Sequence, residues 1–339
     1  MSAPSARESA APVLEIGGTH VTAALVRFGP GGPHVEHRRR EALASDAGAD
    51  EILETLLHCA RSLPVAAGPS TVGWGVALPG PFDYADGIAR YQDVGKFDAL
   101  RGVNLGERLR AGLPGNPRVA FVNDAVAFLR GEWAHGAAAG HERAAGITLG
   151  TGVGSAFLLG GTPVDQGPDV PPQGRADLLC YDGRPLEDTV SRRALIRAYL
   201  CAAGERLDVR ELAAAARNGD PVAGEVLDHA FTALGRTLAP WLLRFGATVL
   251  VVGGSMTGSW DLIGPLLEAG FEAGFEAGFA GERPDSVRAT RVNKVNKVTQ
   301  VVPARHPDQA ALIGAALHAL DGPAADRAAD RAAEPGRPR

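Results

Sequence analysis

The run Val119-Ala-Phe-Val-Asn-Asp-Ala-Val-Ala-Phe128 predicts a hydrophobic strand that ends on two polar residues. Open α/β folds bind their ligands beyond the carboxyl ends of the strands. A carboxylate in that place, beside an amide that can hold a hydroxyl, suits a general base in phosphoryl transfer. Asn123 and Asp124 are equally ordinary residues for the N-cap of a helix. The pair by itself therefore leaves a catalytic and a structural interpretation open.

Glycine-rich turns lie before and after this strand, and a third ends a buried-looking strand farther along the chain. The first two turns each lead into an apolar strand, so they predict hairpins rather than strand-to-helix phosphate loops. Glycine there lets backbone N–H groups approach phosphate oxygens closely, although tight hairpins also use glycine for steric reasons alone. The turns are Gly17-Gly18-Thr19, Gly150-Thr151-Gly152-Val153-Gly154 and Gly253-Gly254.

In this order, the turns and the carboxylate resemble the ROK family (repressors, open reading frames and kinases). Two further stretches extend the resemblance: Gly75–Asp83, which contains a Pro-Gly-x-x-Asp pattern, and Val252–Ser255. The matched motifs are spread over roughly residues 12–320. The resemblance implies an α/β, two-lobed actin-like ATPase (ribonuclease H-like) sugar kinase fold, with ATP and the substrate in the interlobe cleft.

The resemblance also implies a role for each matched residue. Asp124 would be the catalytic base, while Asn123, Gly80, Glu187 and Arg175 would bind the substrate. Phosphate and adenosine contacts would come from the glycine turns, through Gly17, Gly18, Thr19, Gly150, Thr151, Gly152, Gly154, Gly253 and Gly254. Glu15 stands where the family kinases have an aspartate that orients hydrated magnesium. Magnesium keeps much of its hydration shell, so Glu15 is expected to reach the ion through water. The expected cofactors are ATP and Mg²⁺.

The segment 162–191 departs from the family pattern. The usual Glu-x-Gly-His motif appears as Pro172-Gln-Gly-Arg175, and the cysteine-rich zinc loop is reduced to Cys180–Glu187. A structural zinc site needs about four Cys or His ligands, and the chain has only 3 cysteines. We therefore expect no zinc.

Glu187 and Arg175 each have two interpretations. Glu187 and Ser191 keep the family's Glu-x-x-x-Ser spacing, which predicts a contact with substrate hydroxyls. A carboxylate in the first turn of a helix is the structural alternative for Glu187, because it is favoured by the helix dipole. Arg175, in the place of the family's histidine, is either a solvated loop residue or a substrate contact.

Composition agrees with a protein of two domains. The 339 residues exceed what a single core usually serves, and 45% of them are hydrophobic. A formal net charge of −5 points to neither nucleic acid nor a membrane surface as a partner. An odd number of cysteines suits reduced thiols and a cytoplasmic location, and the first twelve residues lack a secretory signal. A homodimer is expected from the family resemblance.

The predicted domains follow from the strand and helix patterns. They are a flexible N-terminus at 1–11, a small lobe at 12–124 completed by a helix at about 305–320, a large lobe with the nucleotide loops at 125–304, and a disordered tail at 321–339. Residues 80–104 are expected to form a long loop, in which Lys96-Phe97 has no assigned purpose.

Two short repeats need an interpretation. The sequence Glu268-Ala-Gly-Phe recurs three times up to Phe279, and Val292–Lys297 is a doubled triplet. The first repeat predicts a stripe of core phenylalanines at i, i+4 spacing, although each glycine weakens a helix by about 1 kcal/mol.

Together these patterns predict an ATP-dependent kinase for the exocyclic primary hydroxyl of a hexose-like substrate. The divergent loop is unlike that of an ordinary glucokinase and resembles the ROK kinases of natural-product pathways. We expect a C7-cyclitol of the valiolone or valienone type, phosphorylated at position 7 in antibiotic biosynthesis. A glucokinase or an aminosugar (kanosamine) 6-kinase is the alternative. A non-catalytic sugar-sensing ROK protein is the competing class, but only twelve residues precede the first predicted strand, too few for a helix-turn-helix.

Overall fold

The computed structural model describes residues 9–65, 73–279 and 299–322. Residues 1–8, the doubled triplet Val292–Lys297 and the predicted tail beyond residue 322 lie outside the described residues. None of the described helices is long and apolar enough to cross a membrane.

The described residues form fourteen β-strands and nine α-helices. The strands are β1 Ser9–Ile16, β2 His20–Gly29, β3 Gly32–Ala42, β4 Trp74–Leu78, β5 Phe82–Asp83, β6 Ile88–Ala89, β7 Val119–Asn123, β8 Arg143–Leu149, β9 Val153–Leu159, β10 Thr162–Pro163, β11 Cys180–Tyr181, β12 Arg184–Pro185, β13 Val249–Gly253 and β14 Gln300–Pro303. The helices are α1 Ala49–Arg61, α2 Leu105–Gly112, α3 Asp124–His135, α4 Glu187–Val190, α5 Arg192–Ala203, α6 Val209–Arg217, α7 Pro221–Phe245, α8 Trp260–Phe279 and α9 Ala310–Asp321.

The chain divides into two compact units. The first comprises Met1–Gly131 and Asp308–Arg339, and the second comprises Glu132–Pro307. The first boundary falls inside α3, seven residues beyond the lobe boundary expected at residue 124. Asp321, the first residue of the predicted tail, belongs to α9.

A five-stranded sheet of order β3-β2-β1-β4-β7 forms the centre of the first unit. Its first three strands are antiparallel, and β1, β4 and β7 run parallel. Strand β1 starts at Ser9, earlier than the residue 12 expected, and Ala11 is fully buried. Alternate residues of β1 face opposite sides of the sheet: Leu14 packs with residues of α1 and α2, whereas Val13 packs with residues of α9.

Helix α9 packs closely on the first unit's sheet and on α3 because a glycine lies at each contact. A Cβ on Gly75 of β4 would lie 2.1 Å from the carbonyl oxygen of Ala315, and one on Gly314 would lie 1.8 Å from that of Ala127. Any larger residue at either position would force the two backbones apart.

The second unit repeats the strand pattern of the first. Its sheet has the order β10-β9-β8-β13-β14, with an antiparallel hairpin followed by parallel strands. In both units, therefore, a glycine turn joins the two strands of a hairpin. The core of the second unit consists of residues from this sheet and from helices α5 to α8.

The predicted phenylalanine stripe lies on α8, which packs against α7. Phe271 is buried and its ring meets that of Phe275 at 4.8 Å between centroids; the side chain of Phe279 lies outside the described residues. Gly270 and Gly274 of the repeat face α7, because a Cβ on Gly270 would lie 2.3 Å from the carbonyl oxygen of Thr232 and one on Gly274 would lie 2.7 Å from that of Arg236. Glycine is thus required for the close approach of the two helices.

Candidate active site

Asp124 and Asn123 lie where the parallel strand β7 ends and α3 begins. The Asn123 side-chain oxygen accepts hydrogen bonds from the N–H groups of Ala125 at 3.0 Å and Val126 at 3.3 Å. This is the capping geometry that the structural interpretation predicted. The cap does not use the Asp124 carboxylate, which accepts a hydrogen bond from the Ala125 N–H at 2.9 Å.

Tyr84 connects Asn123 to Gly80. The Asn123 amide donates to the Tyr84 hydroxyl at 3.1 Å, and this hydroxyl donates to the Leu78 carbonyl at 3.3 Å. A Cβ on Gly80 would lie 3.4 Å from the Tyr84 oxygen. An amide carries two N–H donors, and the Asn123 side chain also hydrogen-bonds the Asp124 carboxylate, which acts to lower the pKa of Asp124. Gly80 and Asn123 therefore share one neighbourhood, and Tyr84, which orients the amide, was missed by the sequence analysis.

Burial sets the electrostatics of the two carboxylates. Desolvation raises the pKa of Asp124, while the Lys96 ammonium and the Ala125 N–H act to lower it. Desolvation also raises the pKa of Glu15 to about 7, with Arg38 opposing the shift and the Asp124 carboxylate adding to it. Glu15 and Asp124 are thus close enough to influence each other's charge, although 108 residues separate them in the sequence.

The surroundings of Glu15 fit magnesium. Thr22 pairs with Glu15 across the β1–β2 hairpin, and its hydroxyl is buried with no hydrogen-bond partner among the described residues. A buried polar group without a partner is costly, and a water held by Glu15 would satisfy it. Magnesium is commonly bound by one or two carboxylates together with waters and substrate phosphates. The donor set therefore suits a hydrated Mg²⁺ held by Glu15.

The Gly17-Gly18-Thr19 turn lies at the tip of the β1–β2 hairpin. The Gly17 N–H donates to the His20 carbonyl at 2.9 Å, and the Leu43 N–H donates to the Thr19 carbonyl at 3.0 Å. A Cβ on Gly18 would lie 3.7 Å from Cδ of Lys96. The predicted first phosphate turn, the magnesium candidate Glu15 and the base candidate Asp124 are thus all in the first unit.

Two glycine turns meet in the second unit. Gly150, Thr151 and Gly152 form the tip of the β8–β9 hairpin, closed by a hydrogen bond from the Gly150 N–H to the Gly152 carbonyl at 3.0 Å. Gly254 has φ of 90°, and a Cβ on it would lie 2.2 Å from the Leu149 carbonyl oxygen. Glycine is required there, and the close approach places the predicted adenosine turn beside the predicted phosphate turn.

Glu187 is the first residue of α4, and its carboxylate lies beside this second phosphate turn. A Cβ on Gly152 would lie 3.4 Å from Oε2 of Glu187, while Oε1 accepts a hydrogen bond from Arg193 at 3.1 Å. The structural interpretation, a first-turn carboxylate, is therefore realised in the fold. The contact with substrate hydroxyls stays a prediction.

Arg175 forms a two-pronged ion pair with Asp177, with nitrogen-to-oxygen distances of 3.2 Å and 2.5 Å. The Ser155 hydroxyl donates to the Gly174 carbonyl at 2.6 Å and accepts from the Ala176 N–H at 2.9 Å. Ser155 thereby fastens the Pro172–Arg175 segment to β9, directly after the second phosphate turn. Arg175 is thus paired with a carboxylate and is not merely solvated. Its contact with substrate stays a prediction.

Zinc ligands do not assemble in the part of the chain that the structure describes. No group of three or more His, Cys, Asp or Glu residues there could hold a metal ion. Cys180 is exposed at the start of the small β11–β12 hairpin. The absence of zinc remains a prediction for metal analysis.

The comparisons with known proteins agree with this arrangement. The chain is 28% identical over 287 residues to a glucokinase of Thermotoga maritima, covering 75% of this chain and 85% of that protein. Its fold is similar to that of a ROK hexokinase from Thermus thermophilus, with a TM-score of 0.70, 23% identity, and coverage of 92% of this chain and 98% of that one. A ROK family glucokinase from Streptomyces griseus, solved with glucose and AMPPNP, gives a TM-score of 0.68 at 23% identity, covering 93% and 100% of the two chains.

The likenesses to solved structures show the fold, which is the actin-like ATPase fold that the sequence predicted. A model of the ROK family matches residues 13–321. The chain belongs to the ROK family. The predicted enzyme class, an ATP-dependent phosphotransferase with an alcohol group as acceptor, is confirmed at this level.

Proposed function

We propose that this protein transfers the γ-phosphoryl group of ATP to the exocyclic primary hydroxyl of a hexose-like ring, with Asp124 as the general base. The observation that carries this proposal is the position of Asp124: a desolvated carboxylate at the carboxyl end of β7, beside an amide donor. The raised pKa makes the ionised carboxylate a stronger proton acceptor than an exposed aspartate.

Each group of candidate residues has a separate part in the reaction. The substrate hydroxyl gives its proton to Asp124, and the Asn123 amide holds that hydroxyl in place. Backbone N–H groups of Gly17–Thr19 and Gly150–Gly154 bind phosphate oxygens, and Gly253 and Gly254 back the adenosine. Magnesium, bound with ATP, would neutralise phosphate charge, and Glu15 would hold the ion through water.

For the substrate we propose a C7-cyclitol of the valiolone or valienone type, with a 7-phosphate product in antibiotic biosynthesis. The support comes from the loop in which Pro172 and Arg175 replace the family's glutamate and histidine, and in which Arg175 pairs with Asp177. A carbocycle lacks the ring oxygen and anomeric centre that the usual motif surrounds. Glucose is the alternative favoured by the curated relative, which is a glucokinase. An aminosugar such as kanosamine is a further alternative.

The deciding experiment is a coupled assay of ATP turnover against a panel of cyclitols, hexoses and aminosugars. We expect kcat/KM for the cyclitol to exceed that for glucose by at least about a hundredfold, which corresponds to about 3 kcal/mol. Equal use of glucose would make the protein a glucokinase, and preference for kanosamine would support the aminosugar alternative. Phosphate on a ring hydroxyl would contradict the role of Asp124.

A sugar-sensing ROK protein would give a different result in the same assay. It would bind a member of the panel in calorimetry without turning over ATP. The Asp124→Asn variant, purified in parallel, is the control for a contaminating kinase. We also propose that the protein is a cytoplasmic homodimer. Light scattering on the purified protein tests whether it forms a dimer.

A further inference from the structure

The backbone around Lys96 is fixed on both sides. The N–H groups of Val94 and Gly95 donate to the two carboxylate oxygens of Asp98 at 3.2 Å and 3.1 Å. The Phe97 N–H donates to the Ser45 carbonyl at 2.6 Å, and its ring, which is 1% exposed, meets the ring of Tyr91 at 5.3 Å. Phe97 also has φ of 61°, a left-handed conformation that bulky residues rarely adopt. Hydrogen bonds and the packing of the Phe97 ring therefore fix the backbone position of Lys96.

The side chain of Lys96 extends toward the reacting groups of the first unit. It is half-buried, and its Cδ lies beside Gly18 of the first phosphate turn. Its charge also acts on the Asp124 carboxylate and lowers the pKa of that group. Within the described residues, Lys96 makes no ion pair with a carboxylate, so its ammonium can pair with a bound anion.

The residue type is informative too. The chain contains three lysines against 31 arginines, and Lys96 is the only lysine among the described residues. An ammonium is a compact point charge on a flexible stem, whereas a guanidinium is a broad planar fork. Phosphoryl transfer develops charge on the oxygens of the transferred group, and a preorganised cation lowers that barrier.

We propose that Lys96 is a further catalytic residue whose ammonium contacts the γ-phosphoryl group of ATP between the Gly17-Gly18-Thr19 turn and Asp124. This inference rests on the proposed function. It assigns to the loop 80–104 a direct part in the chemistry, in addition to covering the core with Phe97.

Replacing Lys96 with methionine tests the contact because the aliphatic stem is kept and the charge is lost. We expect kcat to fall at least a hundredfold, with partial recovery in Lys96→Arg. The affinity for the non-hydrolysable analogue AMPPNP should fall at least tenfold in calorimetry, while the affinity for ADP changes less than twofold, since ADP lacks the contacted group. The matched control is Arg101→Met, an exposed cation on the same loop, which should leave all three measurements within twofold.

A second measurement uses the wild-type protein and needs no variant. Amine-reactive labelling of Lys96, followed by mass spectrometry, should be suppressed by AMPPNP with Mg²⁺ and much less by ADP with Mg²⁺. Equal protection by both nucleotides, equal loss of affinity for both in Lys96→Met, or a kcat within threefold of wild type would overturn the proposal.

The two proposals can fail separately. If wild type phosphorylates no member of the panel but Lys96 distinguishes AMPPNP from ADP, the γ-phosphate contact stands and the proposed kinase function fails. If wild type is an active kinase and Lys96→Met is equally active, only the role of Lys96 fails. Absence of any nucleotide binding by wild type would overturn both.

Discussion

Replacing Asp124 with asparagine should remove most of the catalytic turnover and leave the fold intact. Asparagine keeps an oxygen that can accept the 2.9 Å hydrogen bond from the Ala125 N–H, and Asn123, which caps α3, is unchanged. Because burial raises the pKa of Asp124, the neutral amide also escapes the desolvation cost of the carboxylate. The melting temperature at pH 8 should therefore equal or exceed that of wild type.

The expected loss of activity follows from the loss of the proton acceptor. A general base contributes typically 10²–10⁴-fold, about 2.7–5.4 kcal/mol of transition-state stabilisation. The coupled ATP assay should show this as a fall in kcat, with a smaller change in KM for the substrate, since Asn123 still holds the hydroxyl.

The control is Asp86→Asn, which removes an exposed carboxylate from the same unit and should leave kcat within twofold of wild type. A fall in kcat of less than tenfold in Asp124→Asn would show that Asp124 is not the base. A large fall in melting temperature would instead show that the carboxylate is structural, and the kinetic loss could then not be assigned to proton transfer.

Three further predictions concern other parts of the structure. In the folded protein the pKa of Glu15 is raised from its ordinary 4.5 to about 7, so the folded state keeps this proton and stability falls as pH rises between these values. Glutamine cannot titrate, so the melting temperature of Glu15→Gln, measured without magnesium and relative to wild type, should rise from pH 5 to pH 8. A constant difference would contradict the shift. Gly270→Ala places a methyl group 2.3 Å from the Thr232 carbonyl oxygen and should lower the free energy of unfolding by about 1–3 kcal/mol in urea. Gly258→Ala, whose Cβ meets open space, is its control, and equal stability of the two variants would refute the close helix contact. Elemental analysis should find far less than one zinc per chain while activity requires added magnesium; stoichiometric zinc would show that the 172–187 loop was misinterpreted.

Much of the fold could be predicted because it depends on residue types that act locally. A hydrophobic run such as Val119–Val122 favours a strand wherever it packs, and Gly17-Gly18 favours a turn for steric reasons. Their order along the chain was specific enough to indicate the ROK family and its fold, both of which are confirmed. The capping role of Asn123 could be predicted, since capping needs only its own helix.

The neighbours of these residues could not be predicted from spacing. Lys96 reaches Gly18, Tyr84 holds the Asn123 amide, and the Thr22 hydroxyl faces the strand of Glu15, each across segments that the sequence does not order in space. Gly270 and Gly274 weaken a helix by their propensity alone, and only the packing of α7 against them explains their presence.

The physical reason lies in the range of the interactions. Strand propensity, turn geometry and helix capping involve atoms a few residues apart, so the sequence itself determines them. Other properties depend on which side chains the packed sheet brings within a few ångströms, and only the tertiary structure decides that. These are the desolvation of Asp124, the raised pKa of Glu15 and the action of the Lys96 charge on Asp124.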